Sequence, residues 1–269
     1  MIVDHLMQPL RILHLTDSHL PDATGGRVQG LDTETSLRAV LDHALSEPRA
    51  YDVVLLTGDL VEQPTPTAYA LLRQQLRRVP VPCLCLPGNH DHPDLLHECL
   101  IGGNAGVESE RTYGDWRILM LDSSVPGRSD GFLCEDQLER VASTIDDAPD
   151  QHLLVAVHHH PVPCGSPWMD AMMLRNGDAL MDLLQSRGNG TRIVIFGHIH
   201  QAFDATVGRV RVLGAPATSC QFEPRSTSFR RSVLPPGYRW LELHPDGGFD
   251  TGVTYLGESH VLRDVPRQH

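Results

Sequence analysis

The sequence predicts an α/β fold built on a parallel sheet that is covered on both faces. Over most of the chain, short apolar runs alternate with longer segments whose apolar residues have helical spacing. Strands that are apolar almost throughout are typical of parallel sheet buried on both faces. After residue 197 the pattern changes to short strands with Gly- or Pro-rich joints and no helix between them, which indicates antiparallel pairing.

Six strands and four helices are predicted before residue 197. The strands are expected at residues 11–16, 53–57, 81–86, 117–122, 153–157 and 192–196. The helices are expected at residues 33–45, 67–78, 135–146 and 174–185. In the first helix, Leu37, Val40 and Leu41 fall on one side. This order of strands and helices favours a parallel sheet with helices packed on its faces.

The last part of the chain is predicted to form a second, antiparallel sheet that closes the fold. Its strands are expected at residues 202–207, 210–213, 238–243 and 251–256. Residues 222–237 are predicted to be a long surface loop. Residues 258–269 are expected to be a short, loosely held C-terminal tail.

The composition excludes several broad classes of protein. The 269 residues include 34 acidic and 22 basic side chains, a formal net charge of −12. Such a chain repels nucleic acid and anionic lipid, so neither is expected as a partner. No apolar run approaches the roughly 18–20 residues that span a bilayer, and residues 1–10 lack the basic start of a signal peptide. Six cysteines do not make a disulfide scaffold at this length, so a cytoplasmic location is predicted.

Residues that can bind a metal follow five of the predicted strands. The carboxyl ends of the strands border the binding crevice of an open α/β sheet, so these segments are expected to converge. They supply carboxylate, amide and imidazole groups without thiolate, which suits divalent ions such as iron, manganese or zinc and argues against a closed structural zinc site. The segments are Asp17-Ser18-His19, Gly58-Asp59-Leu60, Gly88-Asn89-His90-Asp91, His158-His159-His160 and Gly197-His198-Ile199-His200.

The spacing within these segments predicts pairs of ligands. Alternate side chains of extended backbone point to the same side. Asp17 and His19 are therefore expected to face one point, as are His198 and His200. Gly58 allows a tight turn and close approach of the backbone.

The five segments, in this order, resemble the metal-binding blocks of the calcineurin-like metallophosphoesterases. Further matches resemble the class III cyclic-nucleotide phosphodiesterase branch of that family: LPGNHD, HHHPVP, GHIHQ and PATSCQFEP, with Trp168 and then LRN at 174–176. The resemblance extends from about residue 11 to residue 250. It implies a four-layer α/β/β/α sandwich, two mixed sheets flanked by helices, in a single domain over residues 1–257.

The same resemblance implies two divalent or transition-metal ions, with Asp59 bridging them. Iron and manganese are the expected metals, with zinc and cobalt as alternatives. The first ion would be bound by Asp17, His19, Asp59 and His200, and the second by Asp59, Asn89, His158 and His198. Three consecutive histidines leave open whether His158 or His159 is the ligand. Alignment on the histidine that leaves the strand selects His158, and His159 would then point into the sheet interior or rim.

The resemblance also implies catalytic roles for His90, Asn89 and Asp59. His90 would face the substrate phosphate. His90, or Asp91 acting through it, would protonate the leaving 3′-oxygen.

Several residues outside the metal set leave alternatives open. Arg175 and Asn176 are either a helix start and a surface residue or, with His160, contacts to the substrate. Trp168 and the methionines beside it are expected to fill the core or a subunit contact, or alternatively to form an apolar lip for a nucleobase.

The expected activity is that of a phosphoric diester hydrolase. It would convert 3′,5′-cyclic nucleotides, cyclic AMP favoured, to 5′-nucleotides through attack by a hydroxide that bridges the metals. The alternatives are a broad-specificity metallophosphodiesterase acting on glycerophosphodiesters or 2′,3′-cyclic nucleotides and, more remotely, a non-catalytic scaffold. The expected partner is a small-molecule cyclic nucleotide, and the resemblance leaves a homodimer open.

Overall fold

Two six-stranded sheets form the framework of the chain in the computed structural model, which describes residues 8–257. The strands are β1 (Leu10–Leu15), β2 (Val53–Thr57), β3 (Cys83–Leu86), β4 (Ala105–Gly106), β5 (Glu110–Tyr113), β6 (Trp116–Leu121), β7 (His152–Val157), β8 (Arg192–Phe196), β9 (Phe203–Val207), β10 (Val210–Gly214), β11 (Gly237–Leu243) and β12 (Phe249–Tyr255). The helices are α1 (Thr33–Ser46), α2 (Pro66–Leu76), α3 (Pro93–Leu100), α4 (Glu135–Asp147), α5 (Pro167–Asp170) and α6 (Gly177–Ser186).

Both sheets are mixed. The first has the order β12-β11-β1-β2-β3-β4 and the second has the order β5-β6-β7-β8-β10-β9. Strands β1 to β4 are parallel, as are β6, β7, β8 and β10. The antiparallel strands lie toward the edges, with β11 and β12 beside β1, β5 beside β6 and β9 beside β10.

The sheets pack face to face, and helices cover their outer faces. Leu55 of β2 and Leu154 of β7 belong to the core between the sheets. Helix α1 covers the first sheet through Leu37, and α6 covers the second through Leu180. The four-layer α/β/β/α sandwich predicted from the sequence is confirmed.

Local signals determine where the helices begin. Thr65 caps α2 by accepting a hydrogen bond from the backbone N–H of Ala68 (3.2 Å), and Pro66 occupies the first turn, where its missing N–H costs nothing. Helix α6 begins later than predicted because Leu174 forms a bridge with Gly131.

The separate antiparallel sheet predicted for the end of the chain is wrong. Strands β9 and β10 extend the second sheet, with β10 parallel to β8, and β11 and β12 extend the first sheet beside β1. All but one residue of β11 is buried. Pairing with an open edge of an existing sheet satisfies the backbone hydrogen bonds of such apolar strands without a further layer. Helices α3 and α5 and strands β4 and β5 were not predicted.

The described part of the chain, residues 8–257, contains no helix with the length and apolar character needed to cross a membrane. Residues 222–236 form the expected loop, with a bridge between Phe222 and Arg231. The tail predicted at residues 258–269 lies outside the described residues.

Candidate metal centre

Five loops meet at one edge of the sandwich, where strands β1, β2, β3, β7 and β8 end. Their backbones are joined directly: the N–H of Asp17 donates to the carbonyl oxygen of Gly58 (3.0 Å), and the N–H of Gly197 donates to that of His158 (3.1 Å). The two sheets also meet here, because the N–H of His198 donates to the Asp17 carboxylate (3.0 Å). The loops bring all seven predicted metal ligands into one cluster.

Asp17, His19 and His200 form one half of this cluster. Nε2 of His200 lies 3.3 Å from Oδ1 of Asp17 and 3.2 Å from Nε2 of His19. All three side chains are buried, and their ligand atoms lie within 4.8 Å of one another. The three groups are therefore close enough to share one ion.

Asp59 links this half to the second one. Its Oδ2 lies 3.7 Å from Nε2 of His19 and 3.3 Å from Nε2 of His158. Oδ1 of Asn89 lies 3.2 Å from the same nitrogen of His158, and the ring of His198 is 5.0 Å from the ring of His158. A carboxylate between two groups of histidines suits a ligand that is shared by two ions.

Hydrogen bonds to the outer ring nitrogens orient the histidines. Nδ1 of His200 donates to the carbonyl oxygen of Cys220 (2.6 Å), and Nδ1 of His158 donates to that of Thr57 (2.7 Å). Nδ1 therefore holds a proton, and Nε2, directed at the cluster, is the nitrogen that a metal would bind. Nε2 of His198 is buried and has no hydrogen-bond partner among the described residues. An unpaired buried nitrogen is costly, and a metal ion would satisfy it.

The electrostatics of the cluster also suit a cation. Burial alone would raise the pKa values of Asp17 and Asp59, but the nearby histidines hold both below their usual value. Burial opposes the charged form of His158 and His200. Asp59 nevertheless raises the pKa of His158 to about 9, and Asp17 raises that of His200 to about 10. The carboxylates are thus ionised and need positive charge beside them, which a divalent ion supplies.

Five of the predicted ligands have left-handed backbone. This conformation is unfavourable for residues other than glycine, at about 1–2 kcal/mol each, and it concentrates at functional sites. The expectation of extended segments with alternate side chains facing one point is therefore wrong, although the side chains do converge. The φ angles are 53° at Asp17, 43° at His19, 48° at Asp59, 66° at His198 and 50° at His200.

Gly58→Ala is expected to destabilise the fold by about 3 kcal/mol, because left-handed strain adds to a forced displacement. Gly58 has a φ of +90°, and a Cβ there would lie 2.6 Å from Nδ1 of His158 and from the backbone N of Gly88. Gly114→Ala is the matched control, since Gly114 has a φ of +53° but open space around its Cβ position. Its expected cost is about 1 kcal/mol. Urea unfolding measures both, and equal losses would contradict the close packing at Gly58.

His158, of the three consecutive histidines, contacts the shared carboxylate. His159 is buried, with Nδ1 2.8 Å from Oγ of Ser123 and its ring 4.7 Å from the ring of His198. That position is the interior one expected when His158 is the ligand.

Three residues named as possible substrate contacts lie outside the cluster. For Arg175 and Asn176 the structure agrees with the other alternative, a surface residue and a helix start. His160 is fully buried, with Nε2 3.4 Å from Oδ1 of Asp170. Arg175 forms an ion pair with Asp130 (2.7 Å). The amide of Asn176 bonds to backbone just before α4 (2.8 and 3.0 Å). Arg175 and Asn176 tie the segment after β7 to the segment before α4, and His160 joins two parts of its own segment.

A cavity of about 170 Å³ opens over the cluster. His90 lines it beside the predicted ligands. Trp168, Met169 and Met172 also line it, in agreement with the apolar-lip alternative, although Met169 is almost fully buried. The apolar side of the cavity is formed by Val28, Leu31, Trp168, Met172 and Phe222.

Glu62 belongs to the site, and the sequence reasoning missed it. Its Oε2 accepts a hydrogen bond from Nδ1 of His19 (2.8 Å) and lies 3.7 Å from Nδ1 of His90. Its backbone oxygen accepts from the same nitrogen of His90 (3.1 Å). The sequence feature that could have indicated Glu62 is its position three residues after Asp59, in the segment GDLVE. There the chain that leaves Asp59 runs beside His19 and His90.

Asp91 does not act through His90, contrary to that expectation. Its Oδ2 accepts hydrogen bonds from the N–H groups of Leu60 (3.0 Å) and Gly88 (2.9 Å), and its Oδ1 accepts from the hydroxyl of Tyr69 (3.1 Å). Asp91 therefore fixes the loops after β2 and β3 to each other.

Comparisons with known proteins agree with this geometry. The calcineurin-like phosphoesterase family matches residues 10–202. The chain is 40% identical to the 3′,5′-cyclic adenosine monophosphate phosphodiesterase CpdA of Pseudomonas aeruginosa, over 92% of this chain and 90% of that protein. It is 35% identical to the protein of the same name from Escherichia coli (strain K12), over 95% of this chain and 93% of that one.

A solved structure shares the fold. The dimetal phosphatase from Danio rerio superimposes with a TM-score of 0.66 at 14% identity, over 92% of this chain and 96% of that one. Family match, relatives and fold agree, and the chain belongs to the calcineurin-like phosphoesterase family.

Proposed function

We propose that the chain is a dimetal phosphodiesterase that hydrolyses 3′,5′-cyclic nucleotides, cyclic AMP favoured, to 5′-nucleotides. The observation that carries the proposal is the position of Asp59, whose Oδ2 lies within 3.7 Å of histidine nitrogens from both halves of the cluster. Similarity to cyclic AMP phosphodiesterases over nine-tenths of the chain supports the substrate class. A complete donor set argues against a non-catalytic scaffold.

The proposed ligands divide between two ions, iron or manganese, with zinc or cobalt as alternatives. When bound, such ions activate water as a nucleophile and stabilise charge on a phosphoryl group. Imidazole, carboxylate and amide donors accept any of these metals. The first ion would be held by Asp17, His19, Asp59 and His200, and the second by Asp59, Asn89, His158 and His198.

His90 is proposed to contact the phosphate and to protonate the leaving 3′-oxygen. The Glu62 backbone oxygen accepts from Nδ1 of His90, so this nitrogen holds a proton and Nε2 is the one available to substrate in the cavity. Burial opposes the charged form of His90, but the Asp59 carboxylate and Glu62 raise its pKa, which favours the ring that also has a proton on Nε2. That Nε2–H can act as a general acid. Asn89 precedes His90 in the same loop and would hold the second ion beside the phosphate.

A cytoplasmic location fits a cyclic nucleotide substrate. All six cysteines lie in the described part of the chain and are free thiols, as expected in a reducing compartment. A homodimer stays a prediction, which sedimentation of the purified protein would test.

The direct test is turnover by a preparation that is stripped with a chelator and reloaded with Mn²⁺. We expect cyclic AMP to be converted to 5′-AMP, with a higher kcat/KM than 2′,3′-cyclic AMP. Activity should disappear on chelation and return with Mn²⁺. Faster turnover of the 2′,3′-cyclic compound would favour the broad-specificity alternative, and no turnover of any diester would contradict the proposal.

Glu62→Gln is expected to lower kcat/KM about 10- to 100-fold, the usual effect of losing a group that orients a metal-binding histidine. The glutamine side chain has the same length, but it lacks the negative charge of the carboxylate that accepts a hydrogen bond from His19. Mn²⁺ affinity, measured by calorimetry, should fall as well. Glu108→Gln is the control, because Glu108 pairs with Arg111 at the surface. Equal Mn²⁺ affinity and kcat/KM in both variants would contradict this role.

A further inference from the structure

An aromatic wall, defined here as Phe222 and Trp168, lines the cavity beside the metal centre. The ring of Phe222 lies parallel to that of His200, with 3.9 Å between centroids and 7° between planes. Trp168 follows, 5.4 Å from Phe222. Phe229 packs against both rings, 5.3 Å from Phe222 and 5.9 Å from Trp168. The wall therefore begins at a predicted metal ligand and extends away from it.

The loop at 222–236 holds the wall in place. Nε1–H of Trp168 donates to Oγ of Ser226 (3.0 Å), which donates in turn to the carbonyl oxygen of Glu223 (2.9 Å). The backbone N–H of Phe222 donates to the carbonyl oxygen of His200 (3.1 Å). The rings are thus fixed before any ligand arrives, so binding a flat group against them loses little side-chain entropy.

The shape of a cyclic nucleotide matches this order of groups. Its phosphate closes a ring on the 3′ and 5′ oxygens of the ribose, and its base leaves from C1′ on the other side. A phosphate that lies beside His90 at the metal centre therefore directs the base outward along a wall of the cavity. Phe222 is stacked on His200 and Trp168 lies one ring further out, which is where a base would lie.

We propose that the aromatic wall is the base-binding surface of this site, and that Trp168 determines its preference for phosphodiesters that carry a nucleobase. This inference rests on the proposed function. Every base has a π face, so stacking favours nucleotides as a class without choosing adenine over guanine.

The test compares cyclic AMP with the base-free methyl riboside 3′,5′-cyclic phosphate on manganese-loaded protein. Trp168→Leu is expected to raise KM for cyclic AMP about 5- to 100-fold relative to KM for the base-free compound, which corresponds to the loss of one base–aromatic stack. Trp168→Phe keeps an aromatic ring and should therefore keep most of the wild-type preference in KM for cyclic AMP over the base-free compound. Phe132→Leu is the matched control, an exposed aromatic outside the cavity. Thermal unfolding checks that each variant is folded.

A second readout does not depend on turnover. Trp116 and Trp240, the other two tryptophans, are 2% and 8% exposed, so quenching of tryptophan fluorescence by 5′-AMP should come from Trp168 and vanish in Trp168→Leu. Equal changes in KM for cyclic AMP and the base-free compound, or quenching by 5′-AMP that persists in Trp168→Leu, would overturn the inference. The proposed function would still stand. Failure of the wild-type protein to hydrolyse either compound would overturn the proposed function, and quenching by 5′-AMP would still test the wall.

Discussion

Asp59→Asn is expected to reduce kcat for cyclic AMP by about 1,000-fold, because loss of the shared carboxylate removes about 4 kcal/mol of stabilisation by a correctly held ion. The amide preserves the shape of the side chain but cannot offer two anionic oxygens. The carboxylate lies 3.3 Å from His158 and 3.7 Å from His19, so both halves of the cluster should lose affinity. Elemental analysis should find about one equivalent of metal or fewer in place of the two implied by a dimetal site.

Asp204→Asn is the matched control for this variant. Asp204 is mostly buried and pairs with Arg211 within the second sheet, away from the cavity. Its replacement should leave metal content and kcat unchanged. Two full equivalents of metal in Asp59→Asn, with wild-type kcat, would contradict the bridging position.

Asn89→Ala is expected to lower kcat about 100-fold, because it removes one of the four proposed ligands of the second ion and so costs at least as much as losing an orienting group. Oδ1 of Asn89 lies 3.2 Å from Nε2 of His158, and the substitution leaves the first half of the cluster intact. We therefore expect one site to keep its Mn²⁺ affinity and the other to lose it, which a calorimetric titration resolves.

Asn189→Ala provides the corresponding control. Asn189 bonds to Asp150 on an exposed turn, so its loss should affect neither binding step. Full activity of Asn89→Ala with both binding steps unchanged would refute the assignment of Asn89 to the second ion.

The layers of this fold could be predicted because the apolar residues of each strand indicate, for that strand alone, how far it is buried. Strand β2 is VVLLT and every residue of it is buried, so its sequence alone indicates a central parallel strand. The partners of β10 and β11 could not be predicted. Both are short and apolar, and only the assembled sheets show which edges remain open for them.

The site was also predictable in part. Asp, Asn and His at five strand ends were enough to predict a cluster of metal ligands. The alternation of side chains along extended backbone does not apply there, because Asp17 and His19 are left-handed. Glu62 and Phe222 were missed because their roles depend on contacts with His19 and His200. His160 was misplaced because its contact with Asp170 became visible only in the folded chain.

The sequence by itself determined the types of residue and the order in which they leave the strands, since both follow from local composition and periodicity. Only the tertiary structure decided which of the three consecutive histidines faces the centre, which carboxylate orients His19 and which aromatic rings line the cavity. The physical reason is that these relations join residues far apart in the chain, such as Asp17 with His198. Such contacts form only when two separately built sheets stack and bring their strand ends together.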